Sequence, residues 1–232
     1  MRNRSSFLAA LLASLPLSLL AACDEVEQGR LGQVELTPGD CGQLFCDLDE
    51  GIATGGDLSV SLRRKDGAAA YGLTLVSSAP WIVDVISASD GGFEPRFRVL
   101  GTGAGRADLI VLDEAGYEID YLPVEVATVA DLEVSVDAEN AIPLAVVGYD
   151  SAYEIKAGER TVIDVVGTSR GRELTGDFEY AAFLDPRLAA AMQSGSDLGG
   201  GHLELVVPSA GDHELTFIAP GGATERIRLI VR

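Results

Sequence analysis

Basic residues are scarce in this chain. Its 232 residues include 17 Lys and Arg against 36 Asp and Glu, a formal net charge of −19. Lysine is nearly missing, with only Lys65 and Lys156. Residues 1–22 hold Arg2 and Arg4 and no acid, so a chain without them is two charges more negative still. Such an excess repels nucleic acid and anionic lipid surfaces. The one basic cluster, Arg63-Arg64-Lys65, is too small to argue for nucleic-acid binding. The charge suits solubility in an exposed compartment, and it would also attract cations or a basic partner. Histidine occurs only as His202 and His213, and cysteine only as Cys23, Cys41 and Cys46. That supply leaves no Cys/His set for a zinc-type centre. A Gly-x-Ser-x-Gly elbow is absent. His213 lies near Ser209 and Asp212 along the chain, but sequence proximity is not triad geometry. Both histidines fall on predicted hairpin strands and read as structural. Nothing singles out a glycosidase carboxylate pair. No catalytic residue, metal site or cofactor is expected. At 47% apolar residues, the chain is also too hydrophobic for disorder.

What is present begins with Met1-Arg-Asn-Arg4, followed by the almost wholly apolar Phe7 to Ala22. That run is too short for a comfortable transmembrane helix. A charged start and an apolar middle are the pattern of a secretory signal. It ends Leu20-Ala21-Ala22-Cys23. This resembles the bacterial lipobox, which implies removal of residues 1–22, a thioether-linked diacylglycerol on Cys23 and an acylated (palmitate-type) new N-terminus. Several acyl chains hold a protein firmly where one does not. The resemblance implies an exported lipoprotein anchored to a bacterial cell membrane, with inner and outer membrane both open. Residues 23–32 are expected as a lipidated tether reaching at most about 30 Å. With Cys23 assigned to lipid, Cys41 and Cys46 remain as a pair. In an exported protein they are expected to form a disulfide. It closes a small loop, so its contribution should be modest, about 2 kcal/mol.

The rest of the chain is short β-prone runs punctuated by Gly, Pro and Asp. Leu58, Val60 and Leu62 alternate with polar residues, as do Phe97 and Val99. Ala115-Gly116 suits a hairpin turn, and Thr37-Pro-Gly-Asp40 reads as a turn after the strand Gln33–Leu36. Glycines 101, 103 and 105 suit a tight turn needing unusual backbone angles. In the second half, strands are expected at Leu132–Val136, Ile142–Val147, Thr161–Val166 and Phe178–Phe183. Ser77-Ser-Ala-Pro-Trp-Ile-Val-Asp-Val85, then Gly101-Thr-Gly-Ala-Gly-Arg-Ala-Asp-Leu109, resembles the signature of bacterial immunoglobulin-like (BIG-type) domains. A shift of 106 residues lays this stretch on the end of the chain without a gap: Pro80 on Pro186, Ile82 on Leu188, Phe97 on Leu203, Val99 on Leu205, Gly105 on Gly211, Gly116 on Gly222. The matches fall on turn glycines and inward strand positions, which predicts two units of one kind. The expected fold is all-β: two tandem immunoglobulin-like Greek-key β-sandwiches, 33–127 and 131–232, after an N-terminal lipoprotein signal peptide. Ala127 to Ala130 reads as an interdomain hinge that restrains the two units without fixing their angle. Asp185 to Met192 is the best helix candidate, with Asp as cap and Pro in the first turn.

Two stretches bear on function. Asp47-Leu-Asp-Glu-Gly51, with Asp57 after it, superficially resembles a calcium loop but lacks the third alternating ligand and the closing Glu. It reads as a solvated acidic loop. Trp81, the one tryptophan, reads either as a rim residue covering the sandwich end or as a recognition residue. The resemblance implies a non-catalytic interaction or structural module of the cell envelope, whose partner is an envelope protein or glycan, with no nucleic acid. The alternative is a cation- or ligand-binding lipoprotein that uses its acidic loops.

Overall fold

The computed structural model describes residues 27–39, 48–89 and 94–232. The signal segment, Cys23, Cys41, Cys46 and Asp47 lie outside the described residues. The first half forms β1 (Glu27–Gln28), β2 (Val34–Gly39), β3 (Ile52–Ala53), β4 (Asp57–Arg64), β5 (Thr74–Ser77), β6 (Val83–Ser89), β7 (Arg96–Gly101), β8 (Gly105–Leu112) and β9 (Glu118–Ala127). One sheet runs β1-β2-β4-β7-β6 and the other β3-β9-β8-β5. Setting aside the short β1, this is the strand order of an immunoglobulin sandwich, A-B-E-D facing C-F-G. The first strand is split between the sheets: β2 pairs antiparallel with β4, and β3 crosses over to pair parallel with β9.

The second half repeats the plan. It forms β10 (Asp131–Asp137), β11 (Ile142–Leu144), β12 (Ser151–Ile155), β13 (Arg160–Ser169), β14 (Arg172–Glu173), β15 (Ala181–Leu184), α1 (Pro186–Ala191), β16 (His202–Val206), β17 (Gly211–Ile218) and β18 (Thr224–Val231). β13 lies between β10 and β16, and the facing sheet runs β11-β12-β18-β17-β15. β12 pairs parallel with β18, as β3 does with β9. The strands β7, β8 and β9 thus have counterparts in β16, β17 and β18 displaced by 106 residues. Each sandwich closes on its own core. Val34, Leu36, Leu58, Val60, Leu62, Phe97, Val99 and Leu109 fill the first, while Ile163, Leu203, Leu205, Leu215, Phe217, Ile227 and Leu229 fill the second. Each such side chain contributes about 1.5–3 kcal/mol by leaving water. The period-2 alternation on which they sit is what selects strand over helix.

Several local expectations change. Thr37 to Gly39, expected in a turn, continues β2. Among the described residues Pro38 has a ladder partner on one side only, Val60 of β4, and a missing N–H is tolerated there. The expected strand Ile142–Val147 stops at Leu144, and β12 follows where no strand was expected. It lies between β11, a few residues earlier, and β18, some seventy residues further on. In the second sandwich α1 stands where β6 stands in the first. Asp185 caps it by accepting from the amides of Arg187 and Leu188 at 2.8 and 3.1 Å. Of the glycines 101, 103 and 105, expected to need unusual backbone angles, only Gly105 has positive φ. A Cβ on Gly101 would meet the Ala53 carbonyl oxygen at 2.5 Å, and one on Gly103 the Trp81 carbonyl oxygen at 2.8 Å. Both are small because backbone passes over them.

The described part of the expected tether is not free. β1 pairs with β2, the Gly29 amide donates to the Val34 carbonyl at 3.0 Å, and the Arg30 amide to the Tyr121 carbonyl at 2.8 Å. The fastening is completed by Asp120, a fully buried carboxylate at an inward position of β9. Its Oδ1 accepts from the amides of Leu31 at 2.8 Å and Tyr121 at 2.9 Å, and its Oδ2 from those of Gln33 at 2.7 Å and Val34 at 2.9 Å. A buried charge without such partners would be prohibitive. Replacing Asp120 by Ala leaves four amides without their acceptor. It is expected to lower the unfolding free energy by about 3 kcal/mol or more in urea titration. Asp120→Asn, which keeps one acceptor oxygen, is expected to lose less.

Candidate interaction surfaces

The two sandwiches meet through more than the linker. Residues 128–130 alone separate β9 from β10, and Val129 is buried in the second core. The Ala130 amide donates to the Thr168 carbonyl at 2.9 Å. The stretch after β14 then runs alongside β3. The Thr175 amide donates to the Gly51 carbonyl at 2.8 Å, and the Ala53 amide to the Thr175 carbonyl at 2.9 Å. Asp57 and Asp177 exchange both backbone hydrogen bonds, at 3.0 and 2.6 Å. Thr175 is therefore an added parallel bridge on the free edge of β3. Leu174 is buried beside it, and Ala53 of the first sandwich packs into the second core. Over this seam Glu125 faces Arg106 and Arg172 at 3.4 Å and Arg170 at 4.0 Å. Partial burial pushes the Glu125 carboxyl up, but Arg106 and Arg172 together hold it below its ordinary value. The expected hinge is a bonded joint. Leu174→Ala should cost about 2–5 kcal/mol and loosen the joint. Small-angle scattering is expected to show a larger radius of gyration for that variant, and an unchanged profile would mean that the ladder alone holds the pair.

Two hollows flank this joint. One, of about 650 Å³, is lined by Asp49 and Glu50 from the acidic loop and by Glu133, Ser135, Thr168 and Glu173 from the second sandwich, with Arg172 among them. The Glu27 carboxylate accepts from the Asp49 amide at 2.9 Å and ties this loop to β1. Among the described residues no three His, Cys, Asp or Glu side chains stand close enough to hold a metal ion. The second hollow, of about 490 Å³, is a groove lined by Thr54, Gly55, Leu100, Gly101, Thr102, Thr128, Pro220 and Gly221, so both sandwiches and the linker shape it. Trp81 is tied to one of these lining residues, Thr102, through its neighbours in the chain. The Thr102 hydroxyl donates to the Pro80 carbonyl at 3.0 Å and the Thr102 amide to the Ile82 carbonyl at 2.8 Å, which fixes the backbone on either side of the indole. Trp81 itself is 74% exposed, so it does not cover the sandwich end. A second exposed apolar run, Ile142 to Val147, lies along the outer edge of the second sandwich.

The histidines sit apart from each other. His213 is buried on β17, and its Nδ1 lies 3.0 Å from Asp185 Oδ2. Asp212, the residue adjacent in sequence, is engaged by Arg228 instead. The Ser209–Asp212–His213 grouping is therefore not assembled. Burial pushes the Asp185 carboxyl up, but the amides of Leu188 and Arg187, and then His213, hold it below the ordinary carboxylate range. His202 pairs across the ladder with Asp164, Nδ1 to Oδ1 at 2.6 Å, with Glu204 3.5 Å from its other nitrogen. The hydrogen bond to Asp164 raises its pKa above the ordinary value, against partial burial, and Glu204 adds to the rise. A raised folded-state value means that the imidazolium stabilises the fold. That contribution is full below about pH 6.5 and fades as pH rises through the higher native value. The gap in urea midpoint between the native chain and His202→Gln is expected to be widest in acid and to close towards alkaline pH.

No protein family model and no curated protein matches this chain. Among solved structures it is similar to the Escherichia coli adhesin FdeC, at 18% identity and TM-score 0.31, covering 89% of this chain and 64% of that one. Domains 5–6 of the S-layer protein SbsC match at 17% identity and TM-score 0.31, over 80% and 94% of the two chains. The Yersinia pseudotuberculosis adhesin InvE matches at 12% identity and TM-score 0.33, over 90% and 60%. The chain thus spans less than two thirds of either adhesin structure. The strand order, rather than these low superposition scores, defines the fold: two tandem immunoglobulin-like sandwiches.

Proposed function

We propose that this chain is an exported, lipid-anchored interaction module of the bacterial cell envelope, which works by presenting a stiff pair of sandwiches to an envelope protein or glycan and performs no turnover. The observation that carries the docking part is the exposed Trp81 indole, whose flanking backbone is bonded to Thr102, a residue lining the groove built by both sandwiches. An indole held at its backbone costs little ordering entropy on binding, and Trp is enriched among residues that dominate interface energies. A joint made of backbone hydrogen bonds keeps the groove's two walls in register, so a partner need not pay to align them. The charged start, the apolar run and the Leu20-Ala21-Ala22-Cys23 ending support the anchor. With Cys23 lipidated, Asp24, Glu25 and Val26 alone would separate it from β1. The sandwiches would then sit within about 15 Å of the attachment point.

In-cell crosslinking of the full chain, followed by mass spectrometry, tests the docking reading. A reproducible envelope partner that is enriched over a charge-matched control, and lost in a folded Trp81→Ala variant, is the expected outcome. Capture that is indifferent to Trp81, or no enrichment at all, would refute it. Labelling with a palmitate analogue tests the anchor separately: label on the native chain and none on Cys23→Ser is expected, and label that persists on Cys23→Ser removes the lipid assignment.

A further inference from the structure

The internal repeat supplies its own control for one corner of the second sandwich. In the first sandwich Ser78 follows β5. Its amide donates to the Asp108 carbonyl at 2.9 Å and its hydroxyl accepts from the Asp108 amide at 2.8 Å. In the second, Asp185 follows β15 and makes the same two contacts with Glu214, at 3.2 and 3.3 Å. Asp185 is thus the counterpart of Ser78. One residue before Asp108 in β8 stands Ala107, buried among apolar neighbours; one residue before Glu214 in β17 stands His213. The fold closes this corner with Ser and Ala in one copy and with Asp and His in the other. Asp185 has the cap of α1 as its task in the fold, whereas a buried His213 opposite it does what an apolar residue does in the other copy.

The pair leaves one nitrogen unused. His213 is only 2% exposed, its Nδ1 faces Asp185, and its Nε2 is buried without a hydrogen-bond partner. That nitrogen faces Gly211, a position that carries no side chain. A carbon placed on Gly211 would lie 3.3 Å from His213 Nε2 and 3.8 Å from Arg187 Nη1, with His213 Cε1 the next atom at 3.8 Å. In the first sandwich the matching position beside Gly105 is filled by Ile82, 2.8 Å from where such a carbon would stand. The corner opens into a hollow of about 520 Å³. The acids that face it are already engaged: Asp212 by Arg228, Glu214 by the Tyr149 hydroxyl, and Asp185 by helix amides and His213. Arg187 makes no ion pair among the described residues.

We propose that this corner binds a carboxylate, held between His213 Nε2 and the Arg187 guanidinium, with Gly211 leaving the room for it. As an imidazolium, His213 donates Nδ1–H to Asp185 and Nε2–H to one ligand oxygen. Arg187 donates to the ligand from the other side. Asp185 holds the ring in place and balances its charge, as a carboxylate behind a ligating histidine does. The charged and polar groups that line the hollow with the ring are Asp185, Asp212, Glu214, Arg187, Arg228 and Tyr149, and the three acids oppose a bound anion unless their partners stay in place. This site is separate from the Trp81 groove, and its fate does not depend on what docks there.

The test reads the ring resonances of the two histidines in the full chain, with His202 as internal control. Sodium acetate at constant ionic strength is the probe. A saturable shift at His213 and not at His202 is expected. Gly211→Ala, which fills the corner without touching either nitrogen's chain position, and Arg187→Gln should each weaken binding about tenfold or more. If Gly211→Ala misfolds, the exposed Arg187→Gln carries the comparison. Glucuronate and N-acetylglycine, run in parallel, distinguish a uronic acid from a peptide C-terminus as source, and equal affinity for both means recognition of the bare carboxylate. No shift at His213, a shift that chloride reproduces, or a shift indifferent to both substitutions would overturn the proposal and leave His213 a purely structural side chain.

Discussion

β3 has two residues and two neighbours, and the arrangement of the whole molecule follows from that. On one side it pairs parallel with the end of β9 and closes the first sandwich. On the other it accepts Thr175 from the second sandwich. Ala53 belongs to β3 by hydrogen bonding and to the second core by packing. A strand this short is not stable by itself. It exists because both edges are occupied, and each sandwich therefore completes the other's edge. An exposed strand edge would invite pairing with other chains; here the second sandwich takes that place. The same approach of backbone to backbone demands Gly101, over which the Ala53 carbonyl passes. The groove and the acidic hollow both lie along this seam.

The two copies of the fold differ where packing allows them to. Their E, F and G strands superimpose at a constant offset because each inward position must be apolar and each turn must fall at the same place. Between the C and E strands the constraint relaxes. The first copy runs β6 along the sheet edge, and the second puts a capped helical turn there and keeps a single bridge, Met192 to Leu205. Asp185 does both tasks at once: it caps α1 and faces His213. The copy that lost an edge strand is the one that gained a polar corner. The first copy has its own distinct features: Asp120 beneath the N-terminal arm, at the end of β9 remote from the linker, and the exposed Trp81.

Much of this fold was legible along the chain. The alternation in Leu58, Val60 and Leu62, the Ala115-Gly116 turn and the Asp185-Pro186 cap are local signals, and each marks a local structure. The 106-residue echo was readable because turn glycines and core positions are demanded by the fold itself. The interaction surfaces were less so. Asp120 looks like one more acid in an acidic chain; three of its four amides come from residues some ninety positions earlier. Ser209 and Asp212 flank His213 in sequence, but alternation on a strand sends adjacent side chains to opposite faces, and the partner arrives from the cap of a helix. Trp81 fits a core or a surface equally well by composition, and only the fold around Pro80 and Thr102 turns it outward.

Sequence alone determined the class and the count: β-period alternation with Gly and Pro punctuation specifies sandwiches, and the repeat specifies two of them. It determined the caps and hairpin turns as well, because those depend on residues within a few positions of one another. Tertiary structure decided how the two copies are joined, which carboxylate is buried and which nitrogen of His213 is left unpaired. Those outcomes rest on contacts between residues dozens of positions apart, where the free energy lies in the meeting of two surfaces and neither stretch carries the signal by itself.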